Sequence, residues 1–285
     1  MTALLALASA VFIGGADFVG GVTSRTANGI RVAAFVAVVG LPLTLVVSVA
    51  SGSEHVSGAD VIWSVLAGAA VAVGIGCFYI GMGRGLISVV APVAAVTGAV
   101  IPVVYALVRG ERPGATAIVG LVIAFFAVAV VSLAPSEQNP GTDTDIVVDR
   151  NVIALSLASG LFFGLFYITF SRVSEEAGMW PITIERAAAA VVIVALALVL
   201  TRGPVVGTRR LLPYVLLIAV LEVAAVVPLL VALQRGPIAI ASVVASLYPV
   251  TTVLLAGLVL HERLSRLQYV GVVCALVAVA LVSTG

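Results

Sequence analysis

Ten long apolar runs follow one another along this chain of 285 residues, and few charges interrupt them. They are Thr2–Val22, Ile30–Ala50, Val61–Tyr79, Leu86–Val108, Ala115–Leu133, Val152–Phe170, Pro181–Leu200, Leu211–Leu233, Ile238–Leu260 and Leu267–Val282. A hydrocarbon core of ~30 Å is crossed by about 20 residues of helix, so each run predicts one crossing. Pro42, Pro92, Pro102, Pro228 and Pro249 inside these runs are tolerated where neighbouring helices re-satisfy the freed carbonyls. Charged residues make up only 9% of the chain, against roughly 25% in soluble domains. The fold class expected is therefore an all-α integral membrane protein. Met1–Leu4 carries no cationic segment, so Thr2–Val22 reads as a permanent span rather than a cleaved leader.

The same arithmetic excludes several functions. Ten spans of ~20 residues leave room only for short connections, and so for no soluble catalytic or nucleotide-binding domain. Fourteen basic residues, all arginine, stand against 13 acids, which gives no basic patch for nucleic acid. No paired histidines suggest zinc, no phosphate-binding loop suggests ATP, and no membrane serine faces a membrane histidine. The expectation is no enzyme, no cofactor and no metal. Cys77 and Cys274 lie in apolar runs and read as small packing residues.

The longest polar stretch falls near the midpoint. Residues 134–150 contain Pro135, Pro140, Gly141 and four acids, the composition of a linker. It separates residues 1–133 from 151–285, five spans each. The halves are related. Arg84 to Ser132 aligns without a gap onto Arg235 to Ser283: Arg84-Gly85 matches Arg235-Gly236, and Glu111-Arg112 matches Glu262-Arg263. Upstream, Leu7-Ala8-Ser9, Phe12 and Gly14 match Leu157-Ala158-Ser159, Phe162 and Gly164. Charges are scarce here, so pairs of them at a fixed spacing carry more weight than apolar identities. An odd number of spans per repeat makes the second half enter from the opposite side. Inverted repeats around a midplane site are a construction of secondary transporters.

Ten spans in two halves, with Arg109-Gly110-Glu111-Arg112-Pro113 closing the fourth span and Leu260-His261-Glu262-Arg263-Leu264 the ninth, resemble the drug/metabolite transporter superfamily, EamA type. The resemblance covers essentially the whole chain. It implies a basket of two inverted five-helix repeats around a central cavity. Spans one, three, four, six, eight and nine would line it, with five and ten peripheral. It also implies a multi-pass protein of the bacterial cytoplasmic membrane that exports small metabolites, amino acids or drug-like compounds, with both termini in the cytoplasm. The arginines oppose that orientation, with five on the loops it makes cytoplasmic and nine on the other side. The resemblance is followed.

Two carboxylates stand out within spans. Glu222 sits at the centre of Leu211–Leu233 and Asp17 in the last third of the first span, beside Gly14, Gly15, Gly20 and Gly21. A mid-bilayer acid costs at least ~2.5 kcal/mol, so it faces a partner or water and is a functional candidate by default. Both are candidates for binding substrate and for coupling protons, and no basic mid-span partner for Glu222 is evident. Arg31 and Arg186 sit near corresponding span starts and read as interfacial anchors. Tyr79, Tyr167 and Tyr248 lie in spans that the resemblance places around the cavity, and buried tyrosine hydroxyls need partners. Pro92 and Pro249 are flex-point candidates, because proline frees a carbonyl one turn earlier. The expected function is a secondary active carrier, proton-coupled or not, that exports a small molecule by alternating access. A facilitative uniporter, an exchanger and a channel are the alternatives. The expected partners are a small-molecule substrate, lipid and protons.

Overall fold

The computed structural model describes residues 1–24, 27–52, 55–84, 87–133, 150–201, 209–260 and 265–284. The linker expected at 134–150 falls outside them apart from Arg150, as does the His261-Glu262-Arg263 cluster. The described residues form helices α1 (Thr2–Ser24), α2 (Gly29–Ser51), α3 (Gly58–Arg84), α4 (Ile87–Val108), α5 (Ala115–Leu133) and α6 (Arg150–Phe170). There follow α7 (Trp180–Leu200), α8 (Leu212–Arg235), α9 (Ile238–Ala245), α10 (Tyr248–Val259) and α11 (Arg266–Thr284). Eight stretches are long and apolar enough to cross a membrane, and α4 and α5 contribute shorter apolar segments, Val93–Val108 and Ala115–Val130. Val46, Val49, Val191, Leu198, Val199 and Leu276 point outward more than 60% exposed, which water would not tolerate over such a surface and lipid does.

The ends of these helices have local causes. Asn28 accepts from the backbone N–H groups of Ile30 (3.1 Å) and Arg31 (3.4 Å) and so starts α2. Ser57 and Asp60 form a reciprocal cap on α3: Ser57 N–H donates to Asp60 Oδ2 at 2.9 Å and Asp60 N–H to Ser57 Oγ at 3.1 Å. Ser265 and Gln268 repeat the arrangement at α11.

The ninth run departs from expectation. Instead of one helix over Ile238–Leu260 there are two, broken at Ser246 and Leu247. Pro249 brings no N–H to the Ala245 carbonyl and sits in the first turn of α10. Around the break the backbone tightens, with Leu247 N–H donating to Val244 O at 3.1 Å and Val250 N–H to Leu247 O at 3.0 Å. The corresponding helix of the first half, α4, runs unbroken through Thr97-Gly98.

The contacts between helices keep their pattern when the halves are exchanged. With α1 to α5 taken as equivalent to α6, α7, α8, α9 with α10, and α11, the packing of α3 on α6 becomes that of α8 on α1. Likewise α3 on α7 becomes α8 on α2, and α4 on α6 becomes α9 and α10 on α1. The equivalent helices α2 and α7 lie against each other, running in opposite directions. Arg31 Nε, at the start of α2, donates to Thr201 Oγ1 at the end of α7 (3.0 Å). Ser48, near the end of α2, donates to Met179 O and meets Thr183 Oγ1 at the start of α7, both at 2.8 Å.

Small residues set these crossings, as they do where apolar side chains gain little by leaving lipid. Gly160 and Gly164 of α6 press on α4, where a Cβ at Gly160 would stand 2.5 Å from Thr97 Cβ. Gly14, the repeat-mate of Gly164, presses on α10 in the same way, 2.5 Å from the Tyr248 carbonyl. Side-chain bonds are less symmetric. Ser159 Oγ donates to Gly74 O at 2.9 Å, while its mate Ser9 is fully buried and its hydroxyl has no partner among the described residues. Gly160→Val should lower stability by about 1–3 kcal/mol through overpacking. Gly20→Ala, where nothing lies within 4 Å, should shift it by less than about 1 kcal/mol. Thermal unfolding of the two variants in detergent checks the contrast.

Candidate functional site

One end of the helix bundle is tied by polar contacts between loops. Asp60 Oδ1 accepts from Ser174 N–H (2.8 Å) and its Oδ2 from the Ser174 hydroxyl (3.1 Å), joining the α2–α3 connection to that after α6. Gln234 Nε2 donates to Ser174 O at 2.8 Å, and Arg235 pairs with Glu175 at 2.9 Å. That pair is 54% exposed on both sides, so it adds little to stability. Glu111, from the repeated Glu-Arg pair, accepts from Ile238 N–H (3.0 Å) and Ala239 N–H (3.3 Å) and so caps α9 from the other half of the chain. These acids fix loops.

A different group of charges lies within the helices. Arg186 occupies the seventh position of α7, and its Nη1 donates to Glu222 Oε2 of α8 at 2.6 Å. This corrects two expectations: Glu222 does have a basic partner inside the spans, and Arg186 is not an interfacial anchor. The stem of Arg186 lies against the middle of α2 at Gly40. A Cβ there would stand 3.8 Å from both Arg186 Cδ and Nε. The side chains of Arg186 and Glu222 are 12% and 32% exposed, so the pair is sheltered but open on the Glu222 side. Arg186 Nε is buried without an acceptor among the described residues.

A third intramembrane acid, Glu185, precedes Arg186 and is 4% exposed. Its two electrostatic neighbours are Arg186 and Glu222. The signal was present in the sequence, since Glu185-Arg186 falls inside the run Pro181–Leu200; reading Arg186 as an anchor at the span start hid it.

Asp17 and two of the three tyrosines join the group. Asp17 and Glu222 interact electrostatically across the α1–α8 contact, and the Asp17 side chain is exposed although α1 is packed on both flanks. Tyr167 of α6 is buried, meets Ser246 at the helix break and lies within the field of Asp17. Tyr248, at the start of α10, interacts with both Asp17 and Tyr167. Thr252 Oγ1, one turn on, donates to Gly14 O at 3.1 Å and Tyr248 O at 3.2 Å, tying α10 to α1 three residues from Asp17. Tyr79 takes its place from α2–α3 packing, its ring lying over Gly29. Pro249 lies at the break; Pro92 belongs to α4, and its side chain falls outside the described residues. No group of three or more metal-ligating side chains occurs among the described residues.

The arrangement links three carboxylates, one guanidinium and two phenols in a chain of interactions that runs from Glu185 and Arg186 of α7 through Glu222 of α8 and Asp17 of α1 to Tyr167 of α6 and Tyr248 of α10. Removing one partner of a fully buried ion pair costs about 3–5 kcal/mol, because the other charge is left stranded. With Glu222 partly open, Arg186→Leu should cost less, about 1–3 kcal/mol. Arg186→Leu/Glu222→Leu should regain at least half of that loss. A double-mutant cycle on thermal unfolding measures both.

No curated protein matches the chain in sequence. A solved crystal structure, described only as that of a protein, covers 99% of this chain and 98% of its own at 14% identity with a TM-score of 0.74, which establishes a shared fold. The model of the EamA-like transporter family matches residues 1–133 and again 150–284. Two copies of one family unit thus account for nearly the whole length, and the chain belongs to the EamA-like transporter family of membrane proteins.

Proposed function

We propose that this chain is a secondary carrier of the bacterial cytoplasmic membrane that exports small organic molecules by alternating access between two inverted repeats. The observation that carries the reading is the charged group where the halves meet, with antiparallel α2 and α7 beside it. Equivalent helices that run in opposite directions let each half adopt the other's conformation, which opens the same site first to one side and then to the other.

In this reading Asp17, Glu222, Tyr167 and Tyr248 contact the cargo, with Tyr79 on the cavity wall, and Pro92 and Pro249 are the points where helices bend. Three acids against one base favour a cargo bearing an amine, which the phenols would flank through their ring faces. Asp17 and Glu222 carry the coupling protons. Asp17 has no cationic partner among the described residues, whereas Glu222 must first release Arg186. A facilitative carrier or exchanger is the second reading, favoured if the 2.6 Å pair never opens.

A panel of amino acids, cationic aromatic drugs, nucleotide sugars and sugar phosphates, scored by thermal stabilisation of the purified protein, tests the cargo. A ligand at a hundredfold excess over its Kd should stabilise by about 2.7 kcal/mol. Hits are expected among amines; a set of hits confined to anions would overturn the assignment. With a cargo in hand, Glu222→Gln should abolish accumulation driven by a proton gradient in proteoliposomes while leaving counterflow exchange intact. Undiminished gradient-driven flux in that variant would leave the uncoupled carrier.

A further inference from the structure

We infer that Glu185 is a second seat for the Arg186 guanidinium, which pairs with Glu185 whenever a proton or a cargo cation takes Glu222. Glu185 is 4% exposed and makes no hydrogen bond to a described residue, yet it stands next in sequence to the guanidinium that pairs with Glu222. Arg186 spends a single N–H on Glu222 and leaves Nε buried without an acceptor, so the guanidinium has unused donors on its buried side. The stem of Arg186 lies against Gly40 of α2, where a Cβ would stand 3.8 Å from its Cδ and Nε.

The other groups facing α7 do not compete. On α2, Arg31 is held by Thr201 at the far end, and Ser48 is bound to Met179 and Thr183. On α3, Asp60 is bound by Ser57 and Ser174, and Gly68 lies directly against the Glu185 backbone carbonyl. On α8, Glu222 is the charged residue beside the pair, and Tyr214 lies at the opposite helix end. Asp17 on α1 acts on Glu222 rather than on Arg186.

The charge balance follows from these neighbours. In a low-dielectric interior an isolated ion is expensive, and two carboxylates that share one guanidinium cannot both hold it. While Arg186 serves Glu222, Glu185 keeps its proton. When Glu222 is neutralised, Arg186 turns to Glu185, which gives that proton up. Cargo binding at Glu222 would thus release a proton from a residue the cargo never touches.

The functional purpose rests on the carrier reading, but the test does not. Infrared difference spectra of the purified protein in nanodiscs, recorded near neutral pH, read the C=O stretch of protonated buried carboxyls. Glu185→Gln should remove one component of that band. Glu222→Gln should remove the same component, because Arg186 then ionises Glu185, and Glu185→Gln/Glu222→Gln should remove nothing more. Asp17→Asn should leave that component in place. If Glu222→Gln retains it, and the double variant then loses it, the second seat does not exist. Should Glu222→Gln fail to yield folded protein, Glu222→Leu, of similar volume, carries the same expectation and the same overturning result. A failed spectroscopic test would leave transport as proposed, and a cargo panel without hits would leave the charge exchange standing.

Discussion

In lipid, burying an apolar side chain against another helix gains little, so these helices are held chiefly by close approach of their backbones. Gly160 and Gly164 let α6 meet α4, Gly14 lets α1 meet α10, and Gly68 lets α3 press on the carbonyl of Glu185. Everything polar inside the bundle depends on these crossings. They set α7 beside α2 and α8 at a distance at which Arg186 reaches Glu222, and they bring Asp17 within range of Tyr167 and Tyr248. A methyl group at the wrong glycine would separate helices, and with them the charges.

The polar contacts then divide the labour. At one end Asp60 and Glu111 spend their oxygens on backbone N–H groups, which fixes loops and helix starts. Deeper in the bundle the acids are less fully satisfied. Glu222 shares one guanidinium, Glu185 has no bond to a described residue, and Asp17 is exposed. Incomplete satisfaction at the meeting point of the halves is what a site requires if it is to take up a charge and give it back.

Much of this was legible in the sequence, and for specific reasons. Apolar length located the helices to within a few residues, because in a bilayer crossing distance rather than local propensity sets helix length. The repeated Arg-Gly and Glu-Arg pairs revealed the internal duplication, since charges are rare enough here to act as landmarks. Asp17 and Glu222 were found for the same reason. What stayed hidden was pairing across sequence distance: Arg186 and Glu222 are 36 residues apart, and no spacing rule connects two helices that meet only after folding. Glu185 was passed over because a charge near the start of an apolar run looks interfacial until its burial and the pairing of its neighbour Arg186 with Glu222 are seen. The break at Ser246 was anticipated only in part: Pro249 marked the place, but whether proline bends a membrane helix or divides it depends on its neighbours.

That break belongs to one half only. A carrier with two identical halves would spend equal time open to either side, because exchanging the halves would change nothing in its energy. Here α4 is continuous while its counterpart is two helices joined at Ser246 and Leu247, and Ser159 has a partner that Ser9 lacks among the described residues. If the halves exchange conformations as proposed, the two orientations would differ in free energy before any cargo or gradient is present. In the carrier proposed above, that asymmetry would give the protein a preferred resting side, and the two directions of the cycle would run at different speeds.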